Sequence, residues 1–274
     1  MPTQPRATKA ERREEARLTA ERLRAEQARK ARRQRWVVIG VLVAVVAVVA
    51  ALVVAILSQG GRDEGPPELV PQGSLADGAI PVGPDGSAGS TAGAAADPVV
   101  LAVYSDYLCS FCALFEQLNA DVLDELRADG DVVVHYHPIG IMDEASQGAL
   151  YSTRSAAAAA LVAELAPETF LAFHNALMAN QPSDASGFSD AAIAAVAASS
   201  GVPTDVVALI EAGAHMDGDQ SMRPWVDWAT DRAAEDLPRL ATPTLLLDGE
   251  LLEVDWREEG ELAAAVEAAV EARG

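Results

Sequence analysis

Cysteine is almost missing from this chain of 274 residues, which holds two, Cys109 and Cys112. A structural zinc site would need a second pair of ligands, and no other cysteine exists to supply it. A disulfide closing so short a loop removes little denatured-state entropy, which makes it a poor staple. Lysine is as scarce. Lys9 and Lys30 are the only two, so chemistry that needs a lysine amine beyond the basic head is excluded. Positive charge is also missing from most of the chain. Residues 1–35 carry 12 Lys or Arg against 5 Glu, net +7, while the remainder carries 8 Arg against 36 acids, net −28. So acidic a body excludes nucleic acid as a partner and reads as a solvated surface. No repeat of fixed period occurs.

What is present falls into four stretches. Residues 1–35 are rich in Ala, Glu, Arg and Leu and predict a charged, exposed helix, a cytoplasmic tail whose Arg29, Lys30, Arg32, Arg33 and Arg35 can meet anionic lipid. Residues 36–58 predict a transmembrane helix. Val37 to Leu57 is apolar without a charge, long enough for a hydrocarbon core of about 30 Å. The arginines before Trp36 place the N-terminus in the cytoplasm and the rest outside. A cleaved signal peptide is the competing reading, but its apolar core spans about 7–15 residues, shorter than this one. Residues 59–97, dense in Gly, Pro, Ser and Asp, read as a flexible linker. The folded domain is expected over 98–274.

Within that domain the two cysteines stand at a strand-to-helix junction. Val99 to Tyr104 is a β-branched apolar run suited to a buried strand. Phe111, Phe115, Leu118, Val122 and Leu126 then fall at helical spacing up to Gly130, a left-handed cap. A thiol at a helix N-terminus faces free N–H groups and the positive end of the dipole, both of which favour the thiolate. Cys109 is therefore the expected nucleophile. Cys112, one turn on, is placed to attack a mixed disulfide at Cys109.

The rest of the domain reads as alternating elements. Val132 to Pro138 predicts a second strand. Helices are expected over 145–165, 168–180, 189–200, 204–212 and 223–234, with Ser189 and Thr204 as N-caps and Gly201 and Gly213 as stops. Thr244 to Glu253 predicts a hairpin turning near Asp248-Gly249, and a closing helix follows over 258–271.

Three segments in this order resemble the DsbA-like thiol-disulfide oxidoreductases: Tyr104-Ser105-Asp106-Tyr107-Leu108-Cys109-Ser110-Phe111-Cys112, Phe170-Leu171-Ala172-Phe173-His174-Asn175-Ala176-Leu177, and Ala241-Thr242-Pro243-Thr244 with Asp248-Gly249 beyond. The resemblance spans about Val99 to Ala272. It implies an α/β thioredoxin-like fold with an inserted helical subdomain, about 143–235. It also implies an exposed nucleophile at Cys109, a buried resolving thiol at Cys112, and a cis-proline at Pro243 opposite them. Thr242, Pro243 and Phe111 are the candidate substrate-binding residues. Ser110 stands where many relatives have proline and Phe111 where strongly oxidising members have histidine, and both positions tune thiolate stability.

Glu116 matches a buried acid of the family and reads either as a proton acceptor for Cys112 or as a solvated helix acid. His135 and His137 share a strand face without a nearby acid or cysteine, which favours ordinary packing over metal ligation. His174 reads as a packed histidine with no visible partner. Trp225 and Trp228 read as packing residues.

The expected function is thiol-disulfide exchange outside the cytoplasm, oxidising or isomerising exported proteins, with no external cofactor and no metal. A membrane redox partner would reset Cys109-Cys112, and the resemblance implies a quinone-linked one. A dedicated reductase is the alternative within the same chemistry. A tethered chaperone that binds extended polypeptide is the alternative of another kind.

Overall fold

The computed structural model describes residues 65–183 and 187–273, with Val49 alone before them. The expected basic tail, and the membrane helix at 36–58 apart from Val49, lie outside the described residues. Among the described residues no helix is long and apolar enough to cross a membrane. Everything from Gly65 onward groups as one compact unit.

Its centre is a five-stranded sheet in the order β1-β3-β2-β4-β5. The strands are β1 (Ile80–Val82), β2 (Val99–Ser105), β3 (Val132–Pro138), β4 (Thr244–Leu247) and β5 (Glu250–Leu251). β2 and β3 run parallel, joined by helix α1 (Ser110–Ala128), and every other pairing is antiparallel. β2 is apolar along nearly its whole length because both faces are covered, as expected of a central strand. Leu101 and Val103 join Phe115 and Leu123 of α1 in the main core, together with Leu262 and Val266 of the closing helix α7 (Glu261–Arg273). Ala102 and Tyr104 point the other way, onto Ala233 and Leu237 at the end of α6 (Arg223–Asp236).

The inserted subdomain comprises α2 (Tyr151–Leu165), α3 (Phe170–Ala179), α4 (Asp190–Ser199), α5 (Thr204–Glu211) and α6. Its axis is α2, whose run from Ala156 to Ala160 is fully buried. Small side chains there let α3 and α6 approach closely. Phe170, Phe173, Leu177 and Trp225 supply the bulk.

Three expectations need correction. The stretch read as linker contributes to the domain: β1 pairs with β3 in register Ile80↔Tyr136, and Ala79, Ile80, Val82 and Ala88 are buried. Its glycines serve close approach instead of freedom. A Cβ on Gly73, at φ 74°, would lie 2.2 Å from the Gly89 carbonyl oxygen. Second, α2 starts at Tyr151 and not near Ala145. Residues 143–146 form a short 3₁₀ turn, Gln147 and Leu150 take left-handed φ, and the Ser146 hydroxyl and Asp143 carboxylate accept from Tyr151 N–H and Thr153 N–H. Third, Thr204 is the first helical residue of α5, preceded by Pro203, and caps nothing with its side chain. Ser189 does cap α4, accepting from Ala192 N–H.

Candidate active site

The two cysteines sit where β2 hands over to α1, and the handover is built by one buried carboxylate. Asp106 Oδ1 accepts from Leu108 N–H at 2.8 Å and from the Ser152 hydroxyl at 2.7 Å, while Oδ2 accepts from Met142 N–H at 2.9 Å. The turn closes with Cys109 N–H donating to Asp106 O, which leaves Cys109 as the N-cap of α1 with extended backbone. Gln181 clamps the same loop from beyond α3, its amide donating to Tyr107 O at 3.0 Å and Cys109 O at 2.9 Å. Burial pushes the Asp106 carboxyl up to about 6, against the pull of its three hydrogen bonds.

Both cysteines are free thiols. The hydrogen bond from the Cys112 thiol pulls Cys109 down to about 5, helped by the Thr242 side chain and by the N–H groups of Cys112 and Phe111, while burial opposes. The first turn of α1 carries no acid to repel the anion. Cys112 goes the other way. It is wholly buried, and burial, with the bond to Cys109 and the charge there, pushes its thiol far up. The expected exposure of Cys109 is corrected: only 6% of the residue is accessible, because the chain at Thr242 lies over it. The Cys109 thiol donates to Thr242 O at 3.4 Å, and Thr242-Pro243 is a cis peptide bond. Phe111, two residues after Cys109, is 56% exposed.

Glu116, one turn after Cys112, is 4% exposed, so it is not a solvated helix acid. Its Oε1 meets His174 Nε2 at 3.1 Å, and its Oε2 has no hydrogen-bond partner among the described residues. His174 is therefore more than a packed ring. Its Nδ1 meets the Tyr107 hydroxyl at 2.8 Å, and the rings of Tyr136 and Phe170 enclose it. Sequence reasoning missed this chain and the clamps of Asp106 and Gln181. Only the position of Asp106, three residues before Cys109, offered a signal.

The histidine pair of β3 lies away from this centre. His137 stacks on Tyr104 with ring centroids 3.9 Å apart, and burial pushes it down to about 4. Trp225 is a core residue.

Comparison with known proteins agrees with this fold. A family model described as Thioredoxin matches residues 87–268, beginning inside the stretch read as linker. Reduced DsbA from Mycobacterium tuberculosis is 26% identical at a TM-score of 0.54, covering 71% of this chain and 91% of that one. The thiol-disulfide oxidoreductase MdbA from Actinomyces oris is 25% identical at a TM-score of 0.58, covering 75% and 93%. Among curated proteins, 129 residues are 30% identical to the serine/threonine-protein kinase PknE of Mycobacterium tuberculosis, 45% of this chain. The chain spans only 23% of that kinase's length.

Proposed function

The chain belongs to the thioredoxin family, in its DsbA-like group, and on that premise we propose a membrane-tethered thiol-disulfide oxidoreductase that works outside the cytoplasm. The observation that carries the reading is the opposition of the two thiols, one held as thiolate at about 5 and its neighbour buried and pushed far up. Such a pair divides the labour of exchange. A substrate thiolate attacks Cys109 of the Cys109-Cys112 disulfide, forms a mixed disulfide and releases Cys112, which takes up a proton. A second substrate thiolate then attacks the substrate sulfur and expels Cys109 as a stable thiolate. Two electrons have passed to the enzyme, and the substrate holds the new disulfide.

The oxidising direction is favoured because a stabilised Cys109 thiolate stabilises the reduced enzyme, and because disulfides persist outside the cytoplasm. Thr242, Pro243 and Phe111 form the groove. An extended substrate segment can pair with the backbone before Pro243 by strand addition, its sulfur over Cys109. The substrates are exported proteins with thiols or disulfides. Residues 36–58 hold the enzyme in the bilayer, where a quinone-linked membrane partner takes the two electrons.

Equilibration of the purified chain with a glutathione series tests this. An oxidase gives a potential less negative than about −200 mV; a value below about −250 mV would make the protein a reductase.

A further inference from the structure

The Cys109 thiolate draws on an N–H group that its own helix also needs. Cys109 O accepts from Cys112 N–H at 3.0 Å and from Ala113 N–H at 3.1 Å, the first bonds of α1. The same Cys112 N–H is among the donors that favour the Cys109 anion. One hydrogen is thus contested by a carbonyl and a sulfur of the same residue.

Gln181 enters this contest from outside α1. It lies just beyond α3, 72 residues from Cys109, and its Nε2 donates to Cys109 O at 2.9 Å and to Tyr107 O at 3.0 Å. An amide nitrogen carries two hydrogens, and here both go to the cysteine loop. Because both partners are carbonyls, only the nitrogen end of the amide can face them. Cys109 O therefore has a donor that does not come from its own helix. A carbonyl oxygen has two lone pairs, so Ala113 N–H and Gln181 together satisfy it, and Cys112 N–H can turn to the sulfur.

We propose that Gln181 is a positioning residue of the exchange reaction: by occupying Cys109 O it releases the Cys112 N–H to the Cys109 thiolate, so that a side chain of the inserted subdomain tunes the oxidising strength of the cysteine pair. The proposal rests on the exchange function. In the disulfide the Cys109 sulfur carries no charge and gains little from the N–H, so Gln181 stabilises the reduced form selectively. Losing it makes the enzyme a weaker oxidant.

Two variants of the full chain test this. Gln181→Met keeps the reach of the side chain and removes the donor, while Gln181→Lys keeps both. Gln181 is half-buried beyond the end of α3, so neither change opens the core. Iodoacetamide reaction gives the Cys109 half-point. Equilibration with glutathione, in which two glutathione thiols reduce Cys109-Cys112 and leave as one disulfide, gives the potential. Gln181→Met should raise the half-point by about one pH unit, the tenfold loss expected for a hydrogen bond to a charged group. At neutral pH its potential should fall by about 30 mV, the same tenfold change for a two-electron couple. At about pH 4 the thiol is neutral in both proteins and the difference in potential should vanish. A side chain that merely props the loop would shift the potential alike at both pH values. The titratable groups on the elements packed here, Asp106, Tyr107, Cys112, Glu116 and His174, are common to all the proteins, so their own titrations cancel in the difference. Gln181→Lys should hold the half-point at or below the wild-type value. An unmoved half-point in Gln181→Met, a potential difference that persists at about pH 4, or a raised half-point in Gln181→Lys overturns the proposal. A wild-type chain that does not equilibrate with glutathione would overturn the exchange function instead, and the half-points would still decide the role of Gln181.

Discussion

Cys109 and Cys112 are one residue type three positions apart, yet their surroundings drive them in opposite directions. Cys109 is an N-cap that collects hydrogen bonds from the Cys112 thiol, Thr242 and two backbone N–H groups. Cys112 points into the core and has mainly the loss of water, which favours the neutral thiol. Reaction with iodoacetamide should therefore report a Cys109 half-point at pH about 5, with Cys112 unmodified through neutral pH. Thr242→Val removes one thiolate donor and should move that half-point upward. A wild-type half-point near the ordinary thiol value of 9.0 would show that the donors do not act as described.

At the scale of elements, what could be read from the sequence was what local pattern determines. The strand-cysteine-helix unit, the Asp248-Gly249 turn with both residues at positive φ, the Ser189 cap and the proline at 243 were each visible in a few consecutive letters. The pairing that holds Glu116 was not. His174 lies 58 residues from Glu116 and 67 from Tyr107, and no periodicity links them. β1 escaped for a related reason. It is three residues long, contains Pro81, and lies among glycines whose density mimics a linker. Its contribution is nonetheless structural, since Ile80 is fully buried and Arg127 donates to Gly83 O at 2.9 Å. Ile80→Ala should cost roughly 2–4 kcal/mol in urea unfolding, the range for a buried aliphatic truncated in a packed core. A loss under about 0.5 kcal/mol, typical of surface positions, would return residues 65–97 to the status of a tether.

For the whole molecule, the state of one sulfur reaches the stability of the fold. In the reduced protein Cys109 titrates at about 5 when folded and near its ordinary value of 9.0 when unfolded. Between those limits the unfolded chain binds a proton that the native chain does not, so stability rises with pH across that window. The gain is fully present above the unfolded value and is lost as pH falls through about 5. The oxidised protein has no thiol at this position in either state, and its stability lacks the contribution. Asp106 is present in both redox forms. Burial raises it to about 6, so it lowers stability as pH rises through its window, and in the comparison of the two forms its effect largely cancels. Subtracting the melting temperature of the oxidised protein from that of the reduced one should therefore give a difference that climbs from pH 5 toward pH 9. Because a more stable reduced form means a more oxidising disulfide, the same slope measures the driving force of the proposed reaction. Calorimetry of both forms at matched pH values decides it: a difference that stays flat, or falls as pH rises, would detach the Cys109 thiolate from the redox balance and remove the main support for the oxidising direction.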